Sequence, residues 1–193
     1  MTLEEIAKKH KTTKWPHGYM PIYENYFNSM RDAQISLLEI GIAEGNSLRM
    51  WQEYFTKAII TGVDKVAQCE GVIEGDITEQ VTQNKLGEFD IIIDDASHRA
   101  GEQLATFYNL WPKLKPGGYY IIEDLFTLYD KVWNPEGLNI IDEIYNRMQS
   151  IIIEGDTIQE VHFYGRNDIN GIVFLRKRFE LFRFQPLDEF QNI

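Results

Sequence analysis

Short apolar runs recur along this chain, each broken by glycine or acidic residues and followed by a stretch with helical spacing. Ser36 to Ile40, Ala58 to Val63, Phe89 to Ile93 and Tyr119 to Ile122 are such runs, rich in Ile, Val and Tyr. Their length and near-continuous hydrophobicity predict strands buried on both faces. Val72-Ile73 predicts a further short strand before Gly75-Asp76. Ser47 to Phe55 reads as a helix that turns Leu48, Trp51 and Tyr54 inward, and another helix is expected around Gln103 to Leu110. Residues 3–10 and 22–31 read as amino-terminal helices, the second with Ile22, Tyr23, Tyr26 and Phe27 on one face. Lys11 to Pro21 reads as the loop between them.

The pattern changes in the last third. Lys115-Pro116-Gly117-Gly118 is a turn signal ahead of the run at Tyr119. Residues 126–137 read as an irregular loop, Leu138 to Ile151 as a helix, and Val161 to Tyr164 with Gly171 to Arg176 as a closing antiparallel pair. Strands alternating with helices favour a mostly parallel sheet. The expectation is an α/β fold of about seven strands, laid out as one domain over residues 1–193. Residues 1–30 would form an amino-terminal helical lid segment, and 126–137 a second lid.

Composition narrows what such a fold can do. The 193 residues are 44% hydrophobic, 25% charged and 13% aromatic, which is ordinary for a chain that buries a core and argues against disorder. The formal net charge of −11 leaves no basic footprint for nucleic-acid phosphates and would be repelled by an anionic membrane. A small neutral or cationic substrate fits better. Cys69 is the one cysteine, so no internal disulfide is expected. The amino terminus is polar, and no apolar run approaches the roughly 20 residues of a membrane span. The default location is therefore the cytoplasm. The aromatic residues Phe182, Phe184 and Phe190 near the carboxyl end are candidates for a homo-oligomer contact.

Chemistry concentrates at the strand ends. Asp94-Asp95-Ala96-Ser97-His98 follows the run at Phe89, and Glu123-Asp124 follows the run at Tyr119. Ligands of open parallel sheets bind outside the carboxyl ends of the strands, so four carboxylates and a histidine are expected on one rim. Glu39-Ile40-Gly41-Ile42-Ala43-Glu44-Gly45 is a glycine-bearing turn from strand to helix, and Asp64 ends the next strand, where an acid commonly binds ribose hydroxyls. Ala43 stands where a full dinucleotide fingerprint would place its second glycine. On this motif alone, a plain strand-to-helix turn stays open.

These segments together resemble the class I S-adenosylmethionine-dependent methyltransferases. Glu39-Ile40-Gly41 with Gly45 resembles the first motif of that family, Asp64 its ribose-binding acid, Gly75-Asp76-Ile77 its adenine-side segment, and Leu114 to Gly118 its turn before the fifth strand. A narrower similarity joins Ile93 to His98 and Ile122 to Leu125 with the metal-dependent macrolide sugar O-methyltransferases and the cephalosporin hydroxylase-like group. His17-Gly18-Tyr19, Ile22-Tyr23 and Ser47 to Trp51 extend it. The resemblance implies a Rossmann-like, seven-stranded, mostly parallel sheet with helices on both faces and the last strand antiparallel. It implies S-adenosylmethionine held by Glu39, Gly41, Gly45, Ser47, Asp64, Asp76, Ile77 and Asp94. It implies Mg²⁺ held by Asp95, Glu123 and Asp124, with His98 as general base and Asp95 part of the catalytic pair. The implied reaction is O-methylation of a small-molecule hydroxyl, on a sugar or glycoside.

Two other readings remain at this point. A nicotinamide-dependent oxidoreductase would share the strand, the glycine turn and Asp64, but gives no role to Glu39 or to the paired acidic clusters. A non-catalytic protein of the same fold would keep the cofactor pocket without needing both Asp95 and His98.

Overall fold

The computed structural model describes residues 1–146, 158–166 and 169–178. Its centre is a seven-stranded sheet: β1 (Ser36–Ile40), β2 (Ile59–Asp64), β3 (Val72–Glu74), β4 (Phe89–Asp94), β5 (Leu114–Ile122), β6 (Ile158–Arg166) and β7 (Ile169–Lys177). The strand order is β3-β2-β1-β4-β5-β7-β6. The pairs β1–β2, β2–β3, β1–β4 and β4–β5 are parallel, whereas β7 runs antiparallel to both β5 and β6. Chain order reverses between β1 and β4, and that crevice is where open α/β sheets bind ligands.

Successive strand residues face opposite sides of the sheet, so each apolar run feeds two cores. On one side Leu38, Ile92, Tyr120 and Ile122 pack with Phe107 and Leu110 of α5 (Ala100–Leu110) and with Ile140 and Ile144 of α6, the helix described over residues 140–146. On the other, Leu37, Ile91, Ile93 and Ile121 pack with α1 (Leu3–His10), α2 (Met20–Phe27) and α3 (Asn46–Tyr54) through Leu3, Tyr23, Phe27 and Trp51. Burial on both faces is why the strands read as unbroken hydrophobic runs rather than alternating ones.

The amino-terminal layer has a clear start and stop. Thr2 and Glu5 form a capping box at α1, with Glu5 N–H donating to Thr2 Oγ1 and Thr2 N–H donating to the Glu5 carboxylate. The helix ends where Lys11 takes a left-handed conformation at φ 57° and its N–H closes back onto Ala7 and Lys8. The chain then crosses residues 12–19 before α2.

Several boundaries differ from those expected. The turn at Lys115 to Gly118 is a bulge inside β5: pairing jumps from Phe89–Leu114 to Ile91–Tyr119, and Gly117 has φ 79°. A bulge can absorb Pro116, which has no N–H to give a ladder. Helix α5 starts at Ala100 rather than Gln103. Gly101 disfavours helix in isolation, but Arg99 in an extended conformation sets the cap and its carbonyl accepts from Gln103 N–H at 2.8 Å. Helix α2 starts at Met20 and tightens into a 3-10 turn at Asn28–Met30. Residues 125–129 form a 3-10 turn at the head of the expected loop. Gln80–Gln83 forms a short helix, α4, for which no apolar spacing gave warning. The remainder of the expected helix to Ile151, and Phe182, Phe184 and Phe190, lie outside the described residues.

Candidate active site

The carboxyl ends of β1, β2, β4 and β5 converge, because parallel strands in register end at one rim. Asp95 N–H continues the ladder to Ile40 O at 3.0 Å, and Glu123 N–H continues it to Asp94 O at 3.0 Å. The acidic residues after β4 and β5 are therefore fixed by backbone pairing, not left on free loops. Gly41 sits beside them at φ 86°, and a Cβ there would lie 2.0 Å from Asp95 O. Only glycine lets the β1 turn come this close.

Two adjoining cavities share Gly41, Asp64 and Ala96. The smaller, about 180 Å³, also takes in Gly75, Ile77 and Asp94. The larger, about 660 Å³, takes in Lys14, His17, Ser47, Asp95, His98 and Asp124. Asp64 closes the glycine turn: its Oδ2 accepts from the amides of Ile42 at 2.7 Å and Ala43 at 2.9 Å. Burial works to raise the Asp64 pKa, but the amides of Ala43, Val66 and Ile42 outweigh it and leave the carboxylate below its ordinary range. Asp76, between Gly75 and Ile77 of the smaller cavity, is not among the lining residues; it accepts from Thr78 N–H at 2.9 Å and from Thr78 Oγ1 at 2.7 Å, with Lys65 at 3.0 Å. Glu39 and Gly45 stand behind the cavity walls rather than in them, Gly45 packed against Cys69. Asp94 is fully buried, which lifts its carboxyl to about 7 against the opposing pull of the Ala96 amide.

Asp95, His98 and Asp124 each offer a ligand atom within 4.8 Å of the other two. His98 Nε2 is 4.0 Å from Asp95 Oδ1, and His98 Nδ1 is 3.6 Å from Asp124 Oδ2. Both His98 and Asp124 hold positive φ, 56° and 57°, and so does Ala43 of the glycine turn. Non-glycine residues adopt this region only where the surroundings demand it, and three of them border one cavity. Tyr19 pins Asp124: its hydroxyl donates to Asp124 Oδ1 at 2.7 Å and accepts from Asp124 N–H at 3.1 Å. Trp133 stands edge-on to His98, with ring centroids 6.4 Å apart.

Glu123, the third expected ligand, is engaged through one of its two oxygens. It is fully buried, and its Oε1 accepts from Lys14 Nζ at 2.7 Å and Tyr23 Oη at 2.5 Å. Burial and the neighbouring Asp95 push its pKa well up, with Lys14 and Tyr23 opposing. Its Oε2 is buried without a hydrogen-bond partner among the described residues. The sequence reading missed Lys14 and the Tyr23 hydroxyl. Lys14 sits in a polar loop that looks solvated, and Tyr23 falls on an apolar helix face, so no local signal marked either.

In overall shape the chain is similar to MycE methyltransferase from the mycinamycin biosynthetic pathway, solved with Mg, SAH and mycinamycin VI. The TM-score is 0.80 at 26% identity, over 96% of this chain and 57% of that one. The chain has the class I methyltransferase fold. No family model matches it. Among curated proteins, it is 38% identical over 147 residues to 8-demethyl-8-(2-methoxy-alpha-L-rhamnosyl)-tetracenomycin-C 3'-O-methyltransferase of Streptomyces olivaceus, covering 66% of this chain and 37% of the relative. It is 33% identical over 146 residues to mycinamicin VI 2''-O-methyltransferase of Micromonospora griseorubida, covering 66% of this chain and 37% of the relative. The chain thus spans well under half the length of the curated relatives it matches. The seven-stranded, mostly parallel sheet expected from the sequence is the sheet of this methyltransferase fold. No helix among the described residues is long and apolar enough to cross a membrane.

Proposed function

We propose that this chain is an S-adenosylmethionine-dependent, Mg²⁺-dependent O-methyltransferase acting on a hydroxyl of a sugar or glycoside. The observation that carries the reading is the Asp95–His98–Asp124 group opening into the same cavity as the glycine turn. The relatives named above, all sugar O-methyltransferases or a methyltransferase solved with Mg and SAH, support it.

The donor set suits both groups. Carboxylate oxygens are the ligands Mg²⁺ prefers, and Asp95 and Asp124 present them together. Glu123 Oε2, buried and without a hydrogen-bond partner, is a further oxygen on the rim. Gly41 lets the β1 turn pack directly on the Asp95 backbone, and Ser47, Asp64, Ile77 and Asp94 line the adjoining cavities that would take the cofactor. Glu39, Gly45 and Asp76 would support that pocket from behind. When bound, the divalent ion makes a ligated hydroxyl more acidic, and the sulfonium cofactor supplies an already activated methyl group.

The chain's own residues supply position and proton transfer. Asp95 and Asp124 would hold the ion, and their fixed place on the rim would orient the acceptor hydroxyl. His98, whose imidazole is a poor partner for Mg²⁺ beside hard oxygens, is free to accept the hydroxyl proton as general base. Thr12, Thr13, Lys14 and His17 line one side of the larger cavity and would limit water entry, and Trp133 in the expected second lid stands against His98. The cytoplasm is the location this reading assigns, and the acceptor is a small molecule rather than a nucleic acid.

Calorimetric titration with S-adenosylhomocysteine and with NAD⁺ tests the cofactor assignment. Saturable binding of the first and none of the second is expected. Binding of NAD⁺ alone would move the chain to the oxidoreductase reading.

A further inference from the structure

Lys14 belongs to the polar stretch between α1 and α2, yet its side chain is only 1% exposed. Its Nζ lies 2.5 Å from Asp95 Oδ2, 2.7 Å from Glu123 Oε1 and 3.0 Å from Glu39 Oε1. The last contact is an ion pair without hydrogen-bond geometry, since neither Glu39 oxygen has a formed hydrogen bond. The three acids come from the ends of β4 and β5 and from within β1, so one ammonium ties three strands at the rim. Among the described residues, no other lysine or arginine pairs with any of them.

An unpaired ammonium in this place would cost several kcal/mol in lost hydration. Burial does oppose the charge, but the attraction of Asp95, Glu123 and Glu39 prevails. The arrangement therefore has an electrostatic reason to bring a loop residue into the core, and the loop must follow. Thr12, Thr13, Lys14 and His17 all line the larger cavity. The stretch is hydrogen-bonded to the rim by Lys14 in the acids and by Tyr19 on Asp124, with His17 Nδ1 a looser 3.6 Å from Asp124 Oδ1, while Trp15 is 44% exposed. Without Lys14, the segment before Tyr19 would keep weaker ties: His17 Nδ1 at 3.6 Å from Asp124 Oδ1, Trp15 Nε1 donating to Glu4 Oε1 at 3.4 Å, and loop hydrogen bonds such as His17 N–H to Thr13 O at 3.4 Å.

Asp95 links the latch to the candidate metal group. Its two oxygens are divided, with Oδ2 taken by Lys14 and Oδ1 facing His98 Nε2 at 4.0 Å. We propose that Lys14 is a positioning residue: its ammonium latches residues 11–19 down as a wall of the pocket and fixes the rotation of Asp95, leaving Oδ1 for the Asp95–His98–Asp124 group. The consequence for binding rests on the cofactor and metal reading above, whereas the latch does not.

The test is hydrogen–deuterium exchange on the full chain, comparing wild type with Lys14→Met and Lys14→Arg, alongside calorimetric titration of S-adenosylhomocysteine. Lys14→Met keeps the stem length and removes the charge. Exchange over residues 12–19 is expected to rise about tenfold or more, and by more than in β1, β4 and β5, with S-adenosylhomocysteine binding about tenfold weaker. Lys14→Arg should recover most of both effects, because it restores the charge. Unchanged exchange over residues 12–19 overturns the proposal. So does an equal rise throughout the sheet, or failure of Lys14→Met to fold, since Lys14 would then serve general stability. A wild-type chain that binds no S-adenosylhomocysteine contradicts the cofactor reading instead, and the exchange result alone then decides on the latch.

Discussion

Asp95, just past β4, and Asp124, just past β5, present carboxylate oxygens within 4.8 Å of each other, with a His98 nitrogen completing the group. The strands carrying them are paired through Asp94 and Ile122, so this spacing is built into the sheet. Two like charges held this close repel, and a divalent cation is the economical way to neutralise them. Replacing either aspartate by alanine should weaken Mg²⁺ or Mn²⁺ binding at least about tenfold, and chelation by EDTA should abolish turnover in the unaltered chain. Calorimetry or Mn²⁺ paramagnetic resonance reads the affinity, and full activity in EDTA would remove the metal from the account.

His98 is assigned proton transfer rather than ligation. His98→Gln should lower kcat by about 10²–10⁴-fold while Mn²⁺ affinity stays within a few-fold of the unaltered chain. A parallel collapse of metal affinity would make His98 a ligand and leave the base unassigned.

Gly41 tests the cofactor side of the rim. Gly41→Ala forces a side chain into a left-handed backbone and against Asp95 O. It should destabilise the chain by at least about 2 kcal/mol and erase S-adenosylhomocysteine binding. Thermal denaturation and calorimetry together check this; a folded variant with unchanged binding would mean the turn does not approach the ligand.

At the opposite rim, Asp90 accepts from Ser36 N–H at 2.8 Å, Ser36 Oγ at 2.9 Å and Lys115 Nζ at 2.8 Å. Burial alone would raise its pKa, but Lys115 and Ser36 lower it below the ordinary aspartate value. A depressed folded-state pKa gives stability that is present above the unfolded value, near 4, and is lost as pH falls through the folded one. Asp90→Asn should therefore cost up to about 1 kcal/mol at neutral pH, with the gap from wild type closing as the pH drops below about 4. Denaturant unfolding at several pH values follows it. A gap that persists unchanged into acid would locate the effect in packing.

How much of this was legible in the sequence depends on whether a feature is local. Ser36 to Ile40 begins and ends as read, because a short apolar run between polar residues leaves one choice. The acids at the strand ends could be placed on one rim because parallel strands share a direction. The rotation of side chains about that rim could not. Glu123 and Asp124 are neighbours in sequence, but successive residues face apart, so Asp124 joins His98 while Glu123 turns to Lys14 and Tyr23. Asp76 was placed beside the cofactor by resemblance, and its carboxylate is held by Thr78 and Lys65. Lys14 was illegible for a related reason: its partners lie 25 to 109 positions away, and only the folded sheet brings them together.

The central claim is tested most directly by methyl transfer itself. The chain is incubated with methyl-labelled S-adenosylmethionine and a rhamnoside bearing adjacent free hydroxyls, with Mg²⁺ and with EDTA. The account predicts labelled methyl ether on the sugar with Mg²⁺ and none with EDTA. Equal transfer in both conditions, or no transfer to any glycoside by a chain that binds S-adenosylhomocysteine and Mg²⁺, would contradict it.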